Sequence, residues 1–405
     1  MEYRAKSSAV MSKRVLSCFL IVFASVIAAC SDGGSGSSGA STEGGSVSAS
    51  LSGGGVDGPL ANAMVTLYTI DTSVEDFKGQ VLGEGTTDTR ARINGIDKPA
   101  ATDAPYLLEF TADTDTRDLT ACSDDDTSGT IEVLTECLQP VVGTLRTVVT
   151  VDMLNSDRPV YATLLTTMAT DIALDATFSS SGDTAALLAA LSDAAAQVKS
   201  TVGFGLGSDT DIFTTPPILD EDTDTPEEQQ QVAAYRSAVQ ALASVVDQIA
   251  EAVGGADPVD VLNVMTDDLA DGTIDGEIDG VTSDLYDGDG DGSGDSNGAN
   301  AALILLDQDP ATLPVPNDPQ GRTVGDMATI LVAEIADTGN EDITTQIDEN
   351  TEVELKPAEK DPDLDDDGTP NESDAFPNDP TEDTDTDRDG LGNNADTDDD
   401  NDGVP

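Results

Sequence analysis

Carboxylates stand at every second position in "DTDRDGLGNNAD", residues 385–396, and a glycine follows the third of them. Asp385, Asp387 and Asp389 fit positions 1, 3 and 5 of a twelve-residue oxygen loop. Gly390 fits the turn at 6, Leu391 the backbone carbonyl at 7, Asn393 position 9 and Asp396 position 12. "DLDDDGTPNESD", residues 363–374, repeats the pattern with Asp363, Asp365, Asp367, Gly368, Thr369 through its carbonyl, Asn371 and Asp374. A third run opens with Asp398, Asp400, Asp402 and Gly403. Every side chain offered is a hard oxygen donor, which selects Ca2+ over zinc, and a flexible loop suits Mg2+ less. No amphipathic helix flanks the loops and position 12 is Asp rather than Glu, so these are not EF-hands.

A weaker match is "DGDGDGSGDSNG", residues 287–298. Asp287, Asp289, Asp291 and Asp295 fit, but Gly298 stands at position 12. A metal loop and a plain acidic linker both remain open there.

Asp361 to Pro405 carries 18 acidic residues and one base, with almost no apolar side chains. Self-repulsion keeps such a chain expanded, and it lacks material for a hydrophobic core. Bound cations neutralise neighbouring carboxylates and close each turn, so binding and ordering are one event.

"DLDDDGTPNESDAFPNDP", "DTDRDGLGNNAD" and "DTDDDNDGVP" resemble thrombospondin type 3 repeats. The loops start at 363, 385 and 398, and their offsets of 22 and 13 residues match that family's long and short repeats. The resemblance implies calcium ions lined along an extended array with little regular secondary structure. The third loop breaks off at Pro405, which carries the expectation of further repeats or another domain downstream.

The elements that must position this segment lie upstream. The chain has 405 residues, 80 acidic and 17 basic, for a formal charge of -63. That balance excludes general affinity for nucleic acid or anionic lipid surfaces. There is no His, which removes most catalytic triads, His-ligated metal sites and the usual neutral-pH proton shuttle. Among so many carboxylates some pair always lies close, so paired acids signal no catalysis. "GFGLGSD", from Gly203, lacks the full dinucleotide glycine pattern, and no P-loop is present. The sequence predicts a protein that is not an enzyme.

"MSKRVLSCFLIVFASVIAAC", residues 11–30, joins Lys13 and Arg14 to an apolar run and small residues ending in Cys30. This is a secretory signal, too short for a comfortable membrane span. Its "IAAC" end resembles the lipobox of bacterial lipoproteins, which implies lipidation of Cys30 and, with Ser31 rather than Asp following, an outer-membrane anchor in a Gram-negative bacterium. Residues 31–46 are a Gly/Ser-rich tether. Cys122 and Cys137 remain in an oxidising compartment, and the spacing calls for a structural disulfide rather than a redox pair.

Residues 47–152 alternate in "VSASL", "MVTLYTI", "PYLLEFTAD" and "RTVVTV", predicting strands and a small β-sandwich. From Gly53 through "VDGPLANAMVTLY" this part resembles carboxypeptidase-regulatory-like and Ig-like modules, which serve as spacers or binding platforms. Residues 153–337 predict a helical bundle with the acidic insert at 284–298. Its longest helix starts at Thr225 as N-cap, with Pro226 behind it and Glu228 placed for a capping box. The apolar positions Val232, Tyr235, Val239, Leu242, Val246, Ile249 and Val253 form a bundle seam. Further helices are predicted around Leu187–Val202, from Asp257 and from Thr323, with "RPVYATLLTTMATDIAL" as a hinge helix between the β and helical parts. Residues 338–360 are polar and predict a linker; 361–405 are the repeats.

The sequence therefore predicts a multidomain chain: β-sandwich, helical bundle, then an extended calcium-repeat segment. It predicts a monomeric, membrane-anchored, calcium-binding surface lipoprotein with a structural or adhesive role. The alternative is the anchor and connector half of a longer protein with a downstream peptidoglycan-binding or enzymatic domain.

Overall fold

The computed structural model describes residues 50–359 except 75, 102–103, 121, 123–136, 157, 179–183, 208–209, 222, 253–254, 271, 275, 279–280, 283–300 and 348–352. Residues 369, 381, 383–384, 386 and 393–395 are also described. The signal, Cys30 and the tether lie outside the described residues.

The β part comprises β1 (Gly53–Gly55), β2 (Leu60–Ala61), β3 (Met64–Ile70), β4 (Lys78–Thr87), β5 (Ile93–Asn94), β6 (Tyr106–Thr111), β7 (Arg117–Asp118) and β8 (Thr144–Val149). Five of these form one curled antiparallel sheet in the order β5-β4-β3-β6-β8. The run "MVTLYTI" is β3, and its alternation buries Val65 and Leu67. β4 gave no comparable pattern, because Gly79, Gly83 and Gly85 interrupt it. A Cβ on Gly85 would sit 2.3 Å from the Asn94 carbonyl oxygen, so this glycine permits the close approach of β5.

The helical part begins with α1 (Val151–Ser156), followed by β9 (Val160–Ala162), α2 (Leu164–Phe178), α3 (Thr184–Val202), α4 (Pro226–Ala252) and α5 (Pro258–Leu269). The short pair β10 (Glu277–Ile278) and β11 (Val281–Thr282), then α6 (Ala301–Leu306) and α7 (Met327–Asp337), complete it. "RPVYATLLTTMATDIAL" is not a hinge helix. Its first residues form β9, paired in parallel with β1, and the rest is α2, packed on the sheet beside β8. Glu109 and Arg146 are directly opposite each other in β6 and β8, and Arg146 Nη1 reaches Asp171 of α2 at 3.1 Å. That face of the sheet meets α2, while Phe110, on the other face, lies against Gly55 of β1. The expected two-sheet sandwich is thus one curled sheet with the ladders β1-β9 and β2-β7 beside it, because a helix takes the place of a second sheet.

One hydrophobic core runs from Leu60, Leu67 and Phe110 through Leu165 and Met168 of α2 to Tyr235, Leu242 and Met265 of α4 and α5. The change of secondary structure near residue 152 is therefore crossed by shared packing, and the fold is mixed α/β. A second cluster joins Val232 and Ala233 of α4 to Met327, Ile330 and Leu331 of α7.

The predicted helix starts are observed. Thr225 Oγ1 accepts the Glu228 N–H at 3.3 Å, and Glu228 Oε2 accepts the Thr225 N–H at 3.0 Å, closing a capping box before α4. Asp257 caps α5 through the Val259 N–H at 3.0 Å. Thr323 and Asp326 close a box on a 3-10 turn, Val324–Asp326, that leads into α7. The α4 seam from Val232 to Ile249 is buried, but so are Gln229, Arg236, Ser237 and Gln240 on its other sides. The helix is a central strut rather than one wall of a bundle.

The polar stretch after α7 is docked rather than free. The backbone N–H groups of Gln346 and Ile347 donate to Gln229 Oε1, and those of Lys356, Ala358 and Glu359 donate to the carbonyls of Phe204, Leu306 and Thr201. Backbone bonding of this kind needs no apolar side chains, so composition does not reveal it.

Candidate functional site

Most of the acidic ladders lie outside the described residues: Asp363, Asp365, Asp367, Asn371, Asp374, Asp385, Asp387, Asp389, Leu391, Asp396, Asp398, Asp400 and Asp402, and the weaker set Asp287, Asp289, Asp291 and Asp295. Thr369 and Asn393 are described. Asn393, position 9 of the second ladder, is tied to position 2. Its Oδ1 accepts the Thr386 N–H at 3.0 Å and its Nδ2 donates to Thr386 Oγ1 at 2.8 Å. The Asn393 N–H donates to the Thr384 carbonyl at 2.9 Å, and Asn394 Nδ2 donates to the Thr381 carbonyl at 2.6 Å. Asn393 Oδ1 keeps a second lone pair for a cation or a bridging water. Among the described residues no group of three or more His, Cys, Asp or Glu side chains is arranged to hold a metal ion.

Cys122 and Cys137 are joined in a disulfide across an isolated antiparallel bridge. Cys137 is buried, and the adjoining strand β7 pairs with β2. The bond thus ties Cys122, just past β7, to Cys137, 15 residues on in the chain.

The structure also assembles an ionic cluster in the interior. Arg236 of α4 is fully buried, and its Nη2 donates to Glu334 Oε1 of α7 at 2.9 Å and to Thr120 Oγ1 at 2.7 Å. Thr120 Oγ1 in turn donates to the same Glu334 oxygen at 2.6 Å, closing a triangle. The Thr120 N–H donates to Asp118 Oδ1 at 2.8 Å, and Asp57 Oδ2 accepts the Val142 N–H at 3.0 Å. Gly58 makes room for Asp118, since a Cβ there would lie 1.7 Å from Asp118 Oδ1. Three buried carboxylates thus lie around one guanidinium, of which Glu334 pairs with it directly. Burial pushes the Asp118 carboxyl up to about 7, with the Asp57 charge adding to the effect and Arg236 opposing it. Burial likewise pushes Asp57 up to about 6, against the Val142 N–H and the Arg236 charge.

Arg236, Glu334, Asp118, Asp57 and Thr120 are all buried. The cluster's work is mechanical: it clamps the loop after β7 to α4 and α7. The sequence held one signal for it, a single base within the Ala/Val-rich helix "AAYRSAVQALASVV". Its partners, 98 and 116 residues away, carried none.

Among the described residues no helix is long and apolar enough to cross a membrane. No family model matches the chain, and neither a curated protein nor a solved structure does.

Proposed function

We propose that this protein is a calcium-binding lipoprotein, anchored to the outer membrane through lipidated Cys30, with a structural or adhesive rather than enzymatic role. In this reading residues 361–405 are thrombospondin type 3-like repeats that extend and stiffen when calcium fills the Asp ladders. The β and helical parts form the folded body between anchor and repeats. The observation that carries the reading is the recurrence of D-x-D-x-D-G at 363, 385 and 398, with oxygen donors at the remaining positions of both complete loops. The turn that holds Asn393 against Thr386 supports it, because a calcium loop needs position 9 brought back towards its start.

Extracellular calcium modules bind at about 0.1 to 1 mM, a range suited to an element ordered by its surroundings. The test is a calorimetric calcium titration of the mature chain beside the Asp365→Ala, Asp387→Ala double variant. Saturable heat that falls in the variant is expected. No heat in either protein would reduce the ladders to a solvated acidic tail and remove the proposal. The anchor is tested separately: Cys30→Ala is expected to release the protein from membranes.

A further inference from the structure

A cleft of about 790 Å³ opens between α1, α3 and the segment 210–214, within the size range of small-ligand sites. Met153, Leu191, Ile212 and Phe213 form its apolar floor, and Leu188 stands at its edge 39 % exposed. Four charged groups line it, and they fall into two kinds. Lys199 Nζ donates to the Thr210 carbonyl at 3.0 Å, and Asp211 Oδ1 accepts the Phe213 N–H at 2.9 Å. These two hold the wall in shape. Asp152 and Arg158, on α1 and just past its end, are exposed, and their side chains make no hydrogen bond or ion pair among the described residues.

Arg146, Arg236 and Arg322 pair with an acid, and Arg92 and Arg117 are taken up by carbonyl oxygens, whereas the Arg158 fork stands beside the cleft without such a contact among the described residues. Arg158 presents a planar fork suited to a carboxylate, and Asp152 offers an acceptor for an ammonium on the same lip. Opposite charges left unpaired beside an apolar floor complement a zwitterion with apolar side chains. Phe213, the one aromatic ring in the lining, is buried, which leaves no exposed ring for a sugar to stack on.

We propose that this cleft binds a short apolar peptide with free ends, its carboxylate on Arg158 and its ammonium on Asp152. The site is independent of the calcium repeats. The probe is trileucine, titrated into the full mature chain by calorimetry, once in EDTA and once in calcium. Saturable binding of equal strength in both buffers is expected. Arg158→Ala and amidation of the peptide's carboxyl end should each weaken it about tenfold, the scale of one charge-assisted hydrogen bond. The two changes together should weaken it no further. Asp152→Ala and N-acetylation should behave as a second such pair. Ser192→Trp, which fills the cleft from an exposed position on α3, should abolish binding. All three substituted side chains are exposed, and an unchanged circular dichroism spectrum checks that each variant folds. Absence of saturable heat with the wild-type chain would overturn the proposal. So would equal affinity for the doubly capped peptide, or binding that survives Ser192→Trp.

Discussion

The body between residues 50 and 359 and the acidic segment from Asp361 solve opposite problems. In the body, apolar burial orders the chain, and the few interior charges are matched by hydrogen bonds around Arg236. In the segment, 18 acidic residues face one base and almost no apolar side chain is available for a core. The contrast teaches where charge is tolerated. One guanidinium pairs with Glu334 and lies close enough to oppose the burial that raises the pKa of Asp57 and Asp118, which backbone N–H groups hold in place. Under the proposed function the ladder of carboxylates takes its counter-charge from calcium instead.

The sharpest way to break this comparison is Arg236→Ala. It leaves Glu334 and its neighbours buried without their counter-charge, a change that costs about 3 to 5 kcal/mol. Denaturant unfolding should register this loss, while the calcium heat of the repeats stays as it was. Loss of both would show that the two regions are one cooperative system.

The pH response of the body comes next. Asp118 and Asp57 hold their protons more tightly folded than unfolded. Their contribution is fully present below the ordinary carboxylate pKa and is lost as pH rises through about 6 and about 7. Melting curves in EDTA from pH 4 to 8 are expected to include this declining term. Asp118→Asn should remove a part on the order of 3 kcal/mol. An unchanged slope in the variant would mean that Asp118 is ionised in the fold at all these pH values.

The disulfide offers an effect of similar size. Replacing both Cys122 and Cys137 by Ser should cost about 3 kcal/mol for a loop of this length in the chain-entropy model, read by thermal unfolding with and without reductant. Reductant should affect only the wild type. The smallest expected effect is Thr225→Ala, about 1 kcal/mol for the lost cap of α4. If it proves silent, the tertiary contacts of α4 alone set its start.

Much of the local structure was legible. β3, the cap of α4 at Thr225, the cap of α5 at Asp257 and the box at Thr323 follow from patterns spanning only a few residues, and such patterns survive folding because they are satisfied within one turn or one strand. β4 was not legible, since its glycines mark close approach to partners that the sequence does not name. The docking of residues 346–347 and 356–359 was hidden for a related reason: backbone groups bond without regard to side-chain polarity.

The sequence by itself determined the spacing of the Asp ladders, the caps and the alternating strands, because each depends on residue type and short separation alone. Only the tertiary structure decided that β and helical parts share a core, that Arg236 meets Glu334 and Thr120, and that Asp152 and Arg158 face one cleft. Those contacts join positions far apart in the chain or separate elements of the fold, and their geometry is set by how the elements pack.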